Sequence, residues 1–144
     1  MERARTAFEH RGMRLTPLRE RVLQAIAGSH RAMGAYEVLE QLNEGGERLA
    51  PISIYRAIEA LQNAGVIHRL ESRNAFFACH AGHGTGGAPV VLACEVCGII
   101  AELADAGITR DLERAAAGTG FAPRLIVIEM AGSCERCRDS KDSA

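Results

Sequence analysis

The chain has 144 residues, 24% of them charged and 47% hydrophobic, with a formal net charge of −1, so it could form one compact domain or two small ones. No apolar run approaches the ~20 residues that span a bilayer, and the charged start MERARTAFEHRGMR lacks the apolar stretch of a secretory leader. A cytoplasmic protein with no membrane partner is expected, and in a reducing compartment its five cysteines suit metal or redox chemistry better than disulfides.

Charge is uneven along the chain. Residues 1–31 hold seven Arg against three Glu, a local +4, while residues 74–144 hold six basic and nine acidic groups, a local −3. A near-zero total does not drive strong non-specific binding to nucleic acid, so the basic front needs a motif beside it.

The predicted elements supply one. Thr16-Pro17, an N-cap followed by proline at the first helical position, opens a helix with Leu18, Val22 and Ile26 at four-residue spacing and Gly28 as its stop. A second helix has the stripe Tyr36, Leu39, Leu42 and ends at Gly45-Gly46. Pro51 opens a third, ISIYRAIEALQNAG, closed by Gly65. On it Ile54, Ile58 and Leu61 share one face, which leaves Ser53, Arg56, Gln62 and Asn63 on or near the other. Residues 66–70 and 75–79 then form a β-hairpin around the turn 71–74. Three helices and a hairpin make a winged helix-turn-helix, expected over residues 1–80.

Gly82 to Pro89 is the one strongly Gly-rich stretch, and residues 81–89 are expected to be a hinge. Beyond it come strands 90–94 and 99–103, a helix near 108–117 and a strand at 125–128, with a frayed tail from 138. The expected fold is α+β: the winged helix plus a small C-terminal α/β dimerisation domain, residues 90–144, with a three-stranded antiparallel sheet. That domain is too small to cover its own sheet, so a second copy is expected to bury it, making a homodimer.

Two C-x-x-C motifs carry the chemistry. Cys94-Glu95-Val96-Cys97 and Cys134-Glu135-Arg136-Cys137 together offer four thiolates, the donor set of a structural zinc site. A single C-x-x-C could be a redox dithiol; two in one short domain favour zinc, which would staple its two ends. The fifth cysteine, Cys79, taken alone is a buried inert thiol. In the expected hairpin register, however, Cys79 is the diagonal neighbour of His68 on one face. His80, His83 and Glu102 are further donors within reach in sequence, His83 preferred to His80 because the chain is free to turn there. Neither an H-x-E deaminase motif nor an H-E-x-x-H helix occurs, so no enzyme and no small-molecule substrate is expected.

The combination Arg14-Leu15-Thr16-Pro17-x-Arg19, Pro51-x-Ser53-Ile54-Tyr55-Arg56-Ala57, Cys94-x-x-Cys97-Gly98 and Cys134-x-x-Cys137 resembles the ferric uptake regulator family of metal-sensing repressors, and within it the zinc-responsive branch. The resemblance covers nearly the whole chain. It implies two Zn2+ sites per protomer: the structural one at Cys94, Cys97, Cys134 and Cys137, and a regulatory one at His68, Cys79, His83 and Glu102, with His80 in reserve. It also implies double-stranded operator DNA as partner, contacted by Arg14, Tyr36, Ser53, Tyr55 and Arg56, and zinc as co-repressor of zinc-uptake genes. An iron- or peroxide-responsive member of the same family is the alternative. Against iron, Ala32 stands where the iron branch usually has a His, and a thiolate at Cys79 suits zinc better than Fe2+.

Overall fold

The computed structural model describes residues 1–79 and 88–142, and the chain divides into two compact units, Met1–Cys79 and His80–Ala144. His80 and His83, two of the candidate ligands, lie outside the described residues.

The first unit runs α1 (Glu2–Glu9), α2 (Pro17–Gly28), α3 (Ala35–Asn43), α4 (Pro51–Ala64), β1 (Ile67–Leu70) and β2 (Ala75–Ala78). Thr16 caps α2 through its side-chain oxygen, which accepts from the Arg19 N–H, and Gly65 ends α4 in the left-handed conformation at φ 73°, where a Cβ would be strained. Helix α1 was not expected. Its apolar side is only Ala4 and Phe8, one turn apart and both buried, and the charges around them mask that period. Phe8 lies under the Arg19 guanidinium, 5.6 Å from ring centroid to carbon, a cation–π contact. Val22, Ile26, Val38, Ile54, Ile58 and Leu61 form the centre of one core cluster. The hairpin joins it through an antiparallel bridge between Met33 and Phe76, each donating its N–H to the other's carbonyl at 2.8 Å.

The second unit contains β3 (Pro89–Cys94), β4 (Ile100–Ala104), α5 (Ala106–Ala117), β5 (Ile128–Gly132) and α6 (Glu135–Asp142). Asp105 caps α5 by accepting from the Gly107 and Ile108 N–H groups. The sheet has the order β4-β3-β5, and here two expectations are corrected. First, it is mixed: β4 pairs antiparallel with β3, but β5 pairs parallel. Ala104 pairs with Pro89 and Ile128 with Val90, so the connection leaves and re-enters at one end of the sheet. Helix α5 leads away, the stretch 118–127 leads back, and the chain re-enters in the direction of β3. Second, the last strand starts at Ile128 rather than Leu125. Leu125 and Val127 have strand propensity but no ladder partner there, and stand 75% and 51% exposed. The tail is also more ordered than expected, since α6 carries the chain on to Asp142.

Candidate metal centre and DNA-facing surface

Parallel pairing is what unites the two C-x-x-C motifs. Cys94 ends β3 directly opposite Gly132 near the end of β5, so both motifs leave the sheet at the same edge. The first turns back at once: the Gly98 N–H donates to the Cys94 carbonyl and the Cys94 N–H to the Ile99 carbonyl, both at 3.0 Å, with Gly98 at φ 76°. The second opens α6, where the Cys137 and Arg138 N–H groups both donate to the Cys134 carbonyl. The Glu95 N–H donates to Gly132 across the gap at 2.8 Å.

All four sulfurs, of Cys94, Cys97, Cys134 and Cys137, lie within 4.8 Å of one another, and all are free thiols. The Cys97 and Cys134 sulfurs are 3.8 Å apart. Zinc–sulfur bonds of ~2.3 Å at tetrahedral angles imply sulfur–sulfur edges of about 3.8 Å, so these residues fit a tetrahedral thiolate-bound ion. Their acidities fit it too. N–H groups of Cys97 and Cys134 point at the Cys94 sulfur and lower its pKa to about 6. The neighbouring Cys134 sulfur, then burial, push Cys137 up to about 12. Thiols this crowded cannot all ionise unless a cation stands among them. Metal binding therefore displaces protons, and lowering the pH returns them. Acid titration with a chromogenic chelator is expected to show progressive metal release as pH falls, none of it reversed by added salt alone.

The other candidate ligands stand as follows. His68 is half-buried on β1, paired with Phe77 and with ring centroids 5.8 Å apart. Cys79 follows β2, half-buried, its N–H donating to the Val66 carbonyl at 3.0 Å. Both belong to the first unit. Glu102 lies on β4 in the second, opposite Val91.

Helix α4 is two-faced. Ile54, Ala57, Ile58, Leu61 and Ala64 are buried, while Tyr55 and Arg56 are exposed and Ser53 half-exposed. Tyr36 of α3 is 63% exposed and meets Tyr55 edge to face at 6.3 Å between centroids. Arg14 is exposed, and its carbonyl accepts from the Arg19 side chain. Beside α4 lies a cleft of about 460 Å³ lined by Tyr55, Arg56 and Glu59 from the helix and by Arg69, Asn74 and Phe76 from the hairpin. The hairpin residues of this cleft were not singled out in the sequence. Their signal was the two-residue alternation that sets Arg69 on the face opposite His68.

Residues 10–131 match the family model described as "Ferric uptake regulator family". The zinc uptake regulation protein of Escherichia coli (strain K12) is 34% identical over 127 residues, 88% of this chain and 74% of that protein; that of Shigella flexneri matches equally. A zinc uptake regulator solved in complex with zinc and DNA superposes with a TM-score of 0.89 at 32% identity, covering 96% of this chain and 93% of that one. Holo XcZur does so at 0.83 and 37%, covering 93% of each. With a winged helix ahead of a four-thiol domain, and with matches of this extent, the chain belongs to the ferric uptake regulator family.

Proposed function

We propose that the protein is a zinc-responsive transcriptional repressor of zinc-uptake genes, acting as a homodimer on double-stranded operator DNA. The observation that carries this is the likeness, over most of the chain, to zinc uptake regulators, one of them solved with zinc and DNA. The four-thiol cluster supports zinc as the metal, because soft thiolates select it over harder divalent ions. Cys94, Cys97, Cys134 and Cys137 hold the structural ion. His68, Cys79, His83 and Glu102 form the regulatory set, which rests on the family resemblance and on the one thiol outside the structural cluster. Bound zinc supplies a fixed charge that holds its ligands in one arrangement and so lowers the ordering cost of DNA binding; a coupling of about 1–3 kcal/mol would change affinity ~5- to 150-fold.

A homodimer is supported by the apolar surface of the second unit. Phe121, Leu125, Val127 and Met130 are each more than half exposed in the single chain, a quantity of apolar side chain that monomers rarely leave in water. Two copies present two α4 helices to a two-fold site. In this reading Arg14, Tyr36, Ser53, Tyr55 and Arg56 face the DNA, and Arg56 binds a guanine edge through two of its guanidinium nitrogens. Binding of the upstream DNA of a zinc-import gene, followed across a buffered free-zinc series with metal content measured, tests the proposal; affinity indifferent to zinc, or rising only with iron or falling only with peroxide, would reject it.

Arg56→Ala is expected to lose about 1–3 kcal/mol per half-site on the operator while keeping fold, zinc content and affinity for random duplex. Equal weakening on both DNAs would reassign Arg56 to a phosphate.

A further inference from the structure

We infer that Thr109 is a positioning residue of the homodimer: its buried hydroxyl holds helix α5 in the rotation that turns Ile108 and Leu112 toward the second copy. The inference rests on the homodimer proposed above. Thr109 is the one buried polar residue among those described, and it is also the one buried residue of α5. A helix ordinarily docks through its apolar stripe. Here Ile108 and Leu112 stay exposed and a hydroxyl goes in their place.

That hydroxyl has a specific partner. Its oxygen accepts from the Ala88 N–H at 3.0 Å. Ala88 directly precedes β3, whose ladder with β4 closes at the pair Pro89 and Ala104, so its N–H lies beyond the ladder and takes its acceptor from α5 instead. Valine would fill nearly the same volume, but only threonine or serine supplies the oxygen. At 3.6 residues per turn, Thr109 stands at one margin of the apolar side of α5, with Leu112 about 60° and Ile108 about 100° around from it. Pinning the first margin inward leaves the other facing out. A helix released from Ala88 gains by rolling until Ile108 and Leu112 cover themselves against their own protomer, because apolar burial is favourable and undirected. The hydrogen bond is directional and opposes that roll.

The occupant is a second copy because the exposed pair runs into the apolar surface already assigned to the dimer. The Phe121 N–H donates to the Ala116 carbonyl at 3.1 Å, which sets Phe121 against the last turn of α5, and Phe121 is 64% exposed. Thr109 thus fixes in the free protomer an orientation that dimerisation would otherwise have to impose, which is preorganisation.

Full-length, zinc-loaded wild type, Thr109→Val, Thr109→Ser and Ile108→Ser are compared by sedimentation equilibrium for the dimer dissociation constant and by amide hydrogen exchange at Ala88. Thr109→Val is expected to raise the dissociation constant about tenfold, the effect of two ordinary hydrogen bonds per dimer, with zinc content retained and Ala88 exchange accelerated. Thr109→Ser restores most of both. Ile108→Ser weakens the dimer while Ala88 exchanges as in wild type, because the side chain it removes is the one the latch presents. Binding to a duplex selected by the wild type from a random pool adds a readout that general damage would not give: the Thr109→Val defect disappears once protein concentration is raised well above the new dissociation constant. A dimer of wild-type strength in Thr109→Val or in Ile108→Ser, a serine variant no better than the valine one, or an Ala88 amide unprotected in wild type overturns the inference. A monomeric wild-type protein overturns the homodimer itself, and that result is read before any variant is compared.

Discussion

Cys134→Ala is expected to unfold the second unit and abolish the homodimer, the largest single-residue effect foreseen for this chain. The effect comes from the sulfur alone, since alanine retains the backbone groups by which Cys134 joins α6 to the first motif. The Cys134 carbonyl starts α6 by accepting from Cys137 and Arg138, and its N–H donates to the Cys94 sulfur at 3.4 Å. Removing the sulfur leaves three thiolates crowded without a full coordination shell, and apparent binding energies of structural zinc, ~10–16 kcal/mol in small domains, exceed the stability of most domains. Among the described residues of this unit few apolar side chains are buried beyond Val90, Val91 and Ala93, and those few are a small core to set against loss of the metal. Circular dichroism, zinc stoichiometry and sedimentation of the purified variant check it. A folded, dimeric Cys134→Ala protein would remove the cluster from the architecture.

Cys79→Ser is expected to leave the fold, the dimer and one tightly held zinc per protomer intact, yet to abolish the dependence of operator binding on zinc. Cys79 lies outside the four-sulfur cluster, so that cluster is untouched. Serine is nearly isosteric, but its neutral hydroxyl is a far poorer zinc ligand than thiolate. The hairpin should persist because Cys79 is held there by its backbone N–H to Val66, which serine retains. Zinc stoichiometry after mild chelation, followed by operator binding against free zinc, separates the outcomes. A wild-type zinc response in Cys79→Ser would make Cys79 a packing thiol. His83→Ala and His80→Ala measured beside it decide which histidine completes the set.

Much of the first unit was legible because its punctuation is local. Thr16-Pro17 and Gly65 mark helix ends by steric rules that act within a turn, and Ile54, Ile58 and Leu61 betray a buried face by period alone. Helix α1 escaped because Ala4 and Phe8 are too few to outweigh the charges between them. Strand direction escaped for a different reason: β5 is set by a partner some 40 residues earlier in the chain, and propensity at 125–128 says nothing about which neighbour is available. The cysteines did contain that information. If one metal is to hold both C-x-x-C motifs, and each motif follows a strand, the two strands must end together, and adjacent strands that end together are parallel. The four thiols were therefore legible as a cluster able to hold one metal and, read as a distance restraint, would also have given the topology.

Strand β1 sets His68 and Arg69 back to back, one toward Phe77 and the other toward α4. Because side chains alternate strictly, moving β1 by one residue would exchange them, and moving it by two would restore the faces but carry each side chain ~6–7 Å along the strand. The short run from Ile67 to Leu70 thus admits no neutral change of length. Lineages of this protein are free to drift in hairpin composition, but their insertions and deletions should collect in the turn at 71–74 and spare the strand.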